Sequence, residues 1–342
     1  MFAADPDFWK TYITRSRYSY EQIPDLTGKV AIVTGANTGI GYSVALGLAA
    51  HGAHVFMACR SQEKYNEAVK RMREDVTKQK LGRKGTGTPD LKLDFLELDL
   101  NDLTKVHAAA DKFLQMDLPL HILVNNAGIS ITPWKLSADG VEQQFAVNYL
   151  GPFAFTMALI DRLKSNQPSR IVNVSSLGYE ASVPGGINLD RINDPSEGDP
   201  SLLYGRSKFA MMLFTKNLAR RLSQENASVY VNAIHPGIVD TDMCWHTLDE
   251  YGLIATYTWR LISKVIAYSP KQAALTPLYC ATSPEIEGKG VGEGVEQGGG
   301  ITGRFFIPIA NELKVTPLVE NQELQEKVWA YSEQLVKDKV KK

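Results

Sequence analysis

Cysteine is scarce in this chain: three in 342 residues, Cys59, Cys244 and Cys280, far apart in sequence. That spacing matches no zinc or redox motif and supports no disulfide framework. The six histidines form no HExxH-type pair, so no metal site is expected. An excess of one charge is missing too. Lys and Arg number 37 against 38 Asp and Glu, a formal net charge of -1, whereas nucleic-acid binders carry a strongly basic domain or stripe. No run of about 18 uncharged apolar residues occurs, so no spanning helix is expected. Asp5, Asp7, Lys10, Arg15 and Arg17 interrupt the first 24 residues, which lack the apolar core of a signal peptide. The expectation left standing is a cytoplasmic globular protein with ample material for a core, 44% of it hydrophobic and 22% charged.

Lys29 to Cys59 reads as a βαβ unit. Val30-Ala31-Ile32-Val33 is a continuous apolar run suited to a strand buried on both faces. A glycine-rich turn, an apolar helix over 40–50, a stop at Gly52 and a second strand over 54–59 follow. The alternation then repeats: helix 63–78, strand 94–100, helix 106–116, strand 121–124, helix 140–159, strand 170–174, helix 208–222 and strand 229–234. A last strand is expected at 304–307 and a charged helix at 323–342. Strands and helices in strict alternation specify an α/β fold, a single Rossmann-like doubly wound parallel sheet with helices on both faces. Residues 25–310 are assigned to one catalytic domain, 1–24 to an aromatic-rich N-terminal arm and 311–342 to a helical tail. In the arm, Phe8, Trp9, Tyr12 and Ile13 share one helix face, as a packed arm or a segment touching a membrane.

Thr34-Gly35-Ala36-Asn37-Thr38-Gly39-Ile40-Gly41 joins the first strand to the first helix. Gly35 permits a tight turn, and Gly39 and Gly41 let backbone, ligand and helix approach closely. A pyrophosphate there meets free N–H groups and the positive helix end. Gly35, Asn37, Thr38, Gly39, Ile40 and Gly41 are therefore expected to bind a dinucleotide, although the spacing is TGxxxGxG and not GxGxxG. The second strand ends in Cys59-Arg60-Ser61, without the acid that takes the ribose 2′-hydroxyl of NAD(H). Arg60 suits the 2′-phosphate of NADP(H), the expected cofactor, with NAD(H) as the alternative. The competing reading of Arg60 is a solvated loop arginine.

Four more segments fall around the carboxyl ends of the strands, where ligands bind in a parallel sheet. Asn125-Asn126-Ala127-Gly128 follows the fourth strand and Ser175-Ser176 the fifth. Tyr204-Gly205-Arg206-Ser207-Lys208 precedes the sixth, and His235-Pro236-Gly237-Ile238-Val239-Asp240-Thr241 follows it. Tyr204 and Lys208, four apart on a helix, share a face. A neighbouring cation favours the phenolate of a side chain that otherwise titrates near ~10. Alone, Tyr-x-x-x-Lys is commonplace; in this company it carries weight. The chain resembles the short-chain dehydrogenase/reductase family over roughly residues 25–310. The long stretch 177–203 and Ala58-Cys59-Arg60 resemble its retinol dehydrogenase-like and WW-domain oxidoreductase-like branch, here without a WW domain. The resemblance implies Tyr204 as general acid/base and Lys208 as the residue that lowers its pKa and holds the nicotinamide ribose. It implies that Ser176, in preference to Ser175, polarises the substrate carbonyl, and that Asn148 holds a relay water. It puts Asp99 and Leu100 at the adenine and Asn126, Ala127 and Gly128 along the ribose. Pro236 and Gly237 fall around the nicotinamide, with Val239 and Thr241 at the carboxamide. Hydride transfer to a carbonyl needs a proton donor and a fixed hydroxyl beside the developing alkoxide, which these residues supply.

Met243 to Tyr268, with Trp245, Tyr257 and Trp259 among many aliphatic residues, is expected to form a cap over the site. An apolar cap suits a hydrophobic alcohol or carbonyl substrate; packing on the body, or contact with a bilayer surface, are its other readings. Oligomeric state is left between monomer and homodimer. Two further functions stand beside the alcohol–carbonyl oxidoreductase: a non-catalytic NADP(H)-binding scaffold or redox sensor, and a reductase of an activated C=C bond.

Overall fold

A computed structural model describes residues 16–79, 81–82, 87, 89–180, 185–239, 267–288 and 300–340. Most of the expected N-terminal arm and of the cap, and Thr241, lie outside the described residues. Eight strands form one sheet: β1 Val30–Thr34, β2 His54–Cys59, β3 Lys92–Glu97, β4 Ile122–Asn125, β5 Ser169–Val174, β6 Val229–Ile234, β7 Phe305–Ile307 and β8 Asn311–Glu312. Their order is β3-β2-β1-β4-β5-β6-β7-β8. All pair in parallel except β7 with β8. Strand order reverses between β1 and β4, and this crevice is where a doubly wound sheet binds its ligand.

The central strands are buried on both faces, whereas the edge strand β3 leaves Lys92, Asp94 and Glu97 exposed. On β1, Val30 and Ile32 join one apolar cluster while Ala31 and Val33 join the other. This is why the strand reads as an unbroken apolar run and not as an alternation. Helices α1 Gly39–Ala50, α2 Gln62–Lys78, α3 Leu103–Gln115, α4 Gly151–Ser165, α5 Pro200–Gln224, α6 Leu275–Thr282 and α7 Gln322–Val340 cover the sheet. Residues of α3, α4, α5 and α7 pack in the first cluster; those of α1, α2 and α6 pack in the second.

Beyond shifts of a few residues at strand and helix ends, three features depart from expectation, each for a local reason. Helix α5 starts at Pro200, eight residues before Lys208, because the Asp199 side chain accepts the Ser201 and Leu202 N–H groups and Pro200 occupies the first turn. The helix expected over 140–159 is interrupted: Gln143–Phe145 runs into a five-residue π turn, Ala146–Leu150, before α4. Strand β8 breaks the all-parallel pattern, since residues 308–310 are too short a connection for a parallel crossover.

Candidate active site

The turn after β1 is held at the switch point by bonds to the end of β4. Thr34 Oγ1 accepts the N–H groups of Asn126 and Ala127 at 3.0 and 2.9 Å, and Asn126 Nδ2 donates to Thr34 O at 2.9 Å. Gly35, at φ +67°, donates its N–H to Ala58 O across to β2. Helix α1 then begins with Thr38 at its N-cap, and no side chain caps it. By contrast, Ser61, Asp102 and Asp199 cap α2, α3 and α5 with their side chains. The first-turn N–H groups of α1 are thus left for an anion.

A cleft of about 390 Å³ opens over this turn. Gly35, Asn37, Thr38, Gly39, Ile40, Arg60, Asp99, Leu100, Asn126, Ala127, Gly128, Tyr204, Lys208 and Pro236 all line it. Lys64, Ile129, Gln143 and Val147 line it too and were not anticipated from the sequence. Gly41, Asn148, Ser176, Gly237 and Val239 are outside the lining. Gly41 packs under the turn, and a Cβ there would stand 2.4 Å from Gly35 O. Gly237, at φ +86°, lies against the Tyr268 ring, and Val239 bridges to Tyr268. Asp99 Oδ1 accepts the Asn101 N–H, which shapes the turn past β3.

Tyr204 and Lys208 lie one turn apart on α5, with Lys208 Nζ 5.6 Å from the Tyr204 ring centroid. Lys208 is 4% exposed and donates to Val174 O at 2.9 Å. Burial pulls its pKa from 10.5 down to about 8. The two serines after β5 part company. Ser175 Oγ donates to the main-chain carbonyl of Lys208 at 3.0 Å, and the residue, though buried, borders the cleft. Ser176 is half-buried and accepts the Gly178 N–H. An ideal Cβ on Gly178 would meet Ser176 Oγ at 3.3 Å and Tyr204 Cε1 at 3.5 Å, so the serine hydroxyl and the tyrosine ring both flank Gly178.

Asn148 sits in the π turn, a widened helical geometry found often at functional sites. Its Oδ1 accepts the Ile129 N–H at 2.7 Å, and its Nδ2 donates to Ile129 O and to Ser207 Oγ. Both amide hydrogens are committed, so a water can meet this residue only at its carbonyl oxygens. Ser207 Oγ in turn donates to Tyr204 O at 2.6 Å. His235 Nδ1 accepts the Leu177 N–H, behind Ser176, and burial lowers its pKa to about 3, which keeps the ring neutral. Below the site, Asn125 donates to Thr156 and Asn173, and Asn173 to Thr215, tying β4 and β5 to α4 and α5.

The family model for short chain dehydrogenase matches residues 29–188 and 196–252. This chain belongs to the short-chain dehydrogenase/reductase family. Mouse retinol dehydrogenase 14 is 37% identical over 309 residues, which span 90% of this chain and 86% of that one. The chain is thus an oxidoreductase of the retinol dehydrogenase-like branch. A solved structure from Mycobacterium paratuberculosis is 29% identical and superposes with a TM-score of 0.66, covering 94% of this chain and 97% of that one. A blue fluorescent protein from a metagenomic library, solved in complex with NADPH, is 25% identical with a TM-score of 0.58, covering 84% and 98%. Among the described residues, no helix of this dehydrogenase is long and apolar enough to cross a membrane, and no cluster suits a metal ion.

Proposed function

We propose that the chain interconverts a hydrophobic alcohol and its aldehyde or ketone with NADP(H), using Tyr204 as general acid/base. The observation that carries this reading is that the Ser176 hydroxyl and the Tyr204 ring both flank Gly178, with the Lys208 ammonium behind the ring. The residues fit the cofactor: α1 offers an uncapped N-terminus, the turn at Gly35 and Gly41 has no room for side chains, and Arg60 flanks the cleft. When bound, the nicotinamide supplies or takes up a hydride at the carbonyl carbon. In reduction, the Tyr204 hydroxyl donates its proton to the carbonyl oxygen while Ser176 donates a hydrogen bond to the same oxygen. Lys208 stabilises the phenolate left behind. A water held at the carbonyl oxygens of Asn148 returns the proton. Oxidation runs the same steps backwards. A hydrophobic substrate is supported by the name of retinol dehydrogenase 14 and by the apolar composition of residues 243–266.

The test is turnover of NADPH with a panel of retinoid, sterol and aliphatic aldehydes. Tyr204→Phe removes one oxygen and is expected to bind NADPH as the wild type does while losing activity by about 10²-fold or more. Turnover that survives this change sinks the mechanism. NADPH binding without turnover across alcohols and carbonyls would replace it with the scaffold reading.

A further inference from the structure

We propose that Tyr149 and Ser332 are positioning residues for the reaction, and that through them helix α7 holds the π turn in the register that sets Asn148 at the site. This rests on the reading of Asn148 as the holder of a relay water. Tyr149 follows Asn148 within the π turn Ala146–Leu150. The two side chains reach different parts of the fold. Asn148 bonds to Ile129 and Ser207 at the site, and the Tyr149 hydroxyl meets Ser332 Oγ of α7 at 2.7 Å. An ideal Cβ on Gly128, which lines the cleft, would stand 3.0 Å from Asn148 Oδ1 and 3.6 Å from Lys208 Nζ. The amide oxygen and the buried ammonium thus flank one cleft residue.

Tyr149 and Ser332 are both fully buried. Ser332 Oγ gives its own proton to the Val328 carbonyl at 2.8 Å, so the phenol is the donor between the two hydroxyls. Burial raises the pKa of Tyr149, which keeps that donor protonated through the neutral range. A phenylalanine would fill the same space among Phe145, Phe153 and Phe214, whose rings lie 5.0, 6.1 and 6.3 Å from that of Tyr149. Packing alone therefore does not call for the hydroxyl, and a buried hydroxyl is costly unless it is met. What it adds is register. A slip of α7 by one residue turns Ser332 about 100° away and strands the phenol.

Helix α7 is itself fixed to the body, so it can serve as the reference. Trp329 packs on Phe153 and Phe214 at 5.2 and 5.8 Å, and the Arg221 guanidinium lies 4.4 Å from the centre of the Trp329 ring. Glu326 pairs with both Arg220 and Arg221 of α5. The π turn is the opposite case, a rare geometry that needs support from outside itself. Of its five residues only Asn148 and Tyr149 have side chains that hydrogen-bond, one to the site and the other to α7. Releasing the second lets the turn relax and carries Asn148 away from Ile129.

Amide hydrogen exchange on the intact protein, with no cofactor or substrate added, reads the link directly, because the Ile129 N–H ends on Asn148 Oδ1. Tyr149→Phe removes one oxygen and keeps the ring. It is expected to speed Ile129 exchange about tenfold, while Ile32 in the core of β1 stays protected. Ser332→Ala, which strands the phenol, is expected to do the same. In NADPH-dependent reduction of the panel aldehydes, retinal and decanal among them, Tyr149→Phe is expected to lower kcat about tenfold with KM and the NADPH dissociation constant unchanged. In an Asn148→Ala background it is expected to add no further loss. Unchanged Ile129 exchange in both variants overturns the inference and leaves the function proposed above standing. Equal loss of protection at Ile129 and Ile32, or a loss of kcat that persists on Asn148→Ala, also overturns it, since either makes the pair merely structural. Faster Ile129 exchange with unchanged kcat overturns it together with the relay role of Asn148. If the wild type reduces none of the aldehydes, or Tyr204→Phe still does, the oxidoreductase mechanism falls and this inference with it.

Discussion

Gly41→Ala adds one methyl group at the point where the phosphate turn, the first helix and the end of β4 meet. The new Cβ would stand 2.4 Å from both Asn126 Nδ2 and Gly35 O, and 2.9 Å from Gly35 C. Ordinary contact begins at 3.4 Å, so the shortfall is 3.4 − 2.4 = 1.0 Å. Neither neighbour can yield cheaply. Asn126 Nδ2 is bonded to Thr34 O at 2.9 Å, and the Gly35 N–H to Ala58 O at 2.8 Å. Overpacking of this kind costs about 1–3 kcal/mol, while Gly to Ala inside a helix returns about 1 kcal/mol. The net loss of fold stability is therefore on the order of 1 kcal/mol.

Cofactor binding should suffer more than the fold. A displacement of the turn by a sizeable part of an ångström misaligns N–H groups aimed at a pyrophosphate, and each hydrogen bond to a charged group contributes about 1.5–3 kcal/mol. NADPH affinity is then expected to fall at least tenfold. Thermal unfolding with and without saturating NADPH separates the two effects, because ligand stabilisation depends on its concentration relative to Kd. Gly140→Ala serves as the control: φ is +72° with nothing within 4 Å of the added atom, so it loads the backbone away from the cleft. If Gly41→Ala leaves the NADPH-induced rise in Tm intact, the reading of this turn as a phosphate cradle is wrong.

The serine pair should split kinetics from stability. Ser176→Ala is expected to lower kcat by about 10²–10³ with little change in Tm. Ser175→Ala removes a buried hydrogen bond to the Lys208 carbonyl, which keeps its helical bond, and should cost about 0.5–1.5 kcal/mol of stability; the reverse pattern would exchange their roles. His235 should make the fold acid-sensitive. Its folded pKa of about 3 lies below the ordinary 6.5, so the unfolded chain takes up the extra proton first. The stability it lends is present above pH 6.5 and is lost as pH falls from 6.5 towards 3. At about 1.4 kcal/mol per pH unit, the wild type should lose on the order of 2 kcal/mol by pH 5 that His235→Gln does not. Parallel urea-unfolding curves for the two proteins at pH 7 and pH 5 would refute it.

What could be read from the chain followed the range of each signal. The phosphate turn, the strand cores and the Tyr204–Lys208 spacing are written within a few residues, and the alternation of strands and helices gives the doubly wound sheet. The π turn over 146–150 is not local. It is fixed by Asn148 reaching Ile129 and Ser207, 19 and 59 residues away. The start of α5 is written in Asp199-Pro200, a cap and first-turn proline that apolar periodicity does not register. Strand β8 has two residues and no periodicity to detect. Lys64 was hidden because helix α2 reads as a solvated, charged helix, and only the fold shows that its first turn borders the cleft.

The residues beside the proposed catalytic ones bind the strand ends to one another. Ser175 holds the carbonyl of Lys208, Ser207 joins Tyr204 to Asn148, His235 takes the N–H behind Ser176, and Val174 receives the Lys208 ammonium. The ends of β5 and β6 and two turns of α5 are thereby cross-linked, while the Ser176 hydroxyl, which among the described residues accepts the Gly178 N–H, keeps its proton to offer. Lys208 is held at a cost to stability. Burial lowers its pKa to about 8, so at neutral pH the folded chain carries a charge it would be more stable without. An apolar side chain of similar length would pack that position at less cost. A buried ammonium on the wall of a cleft, one turn from a half-exposed phenol, is the kind of local loss that a working site imposes on its fold.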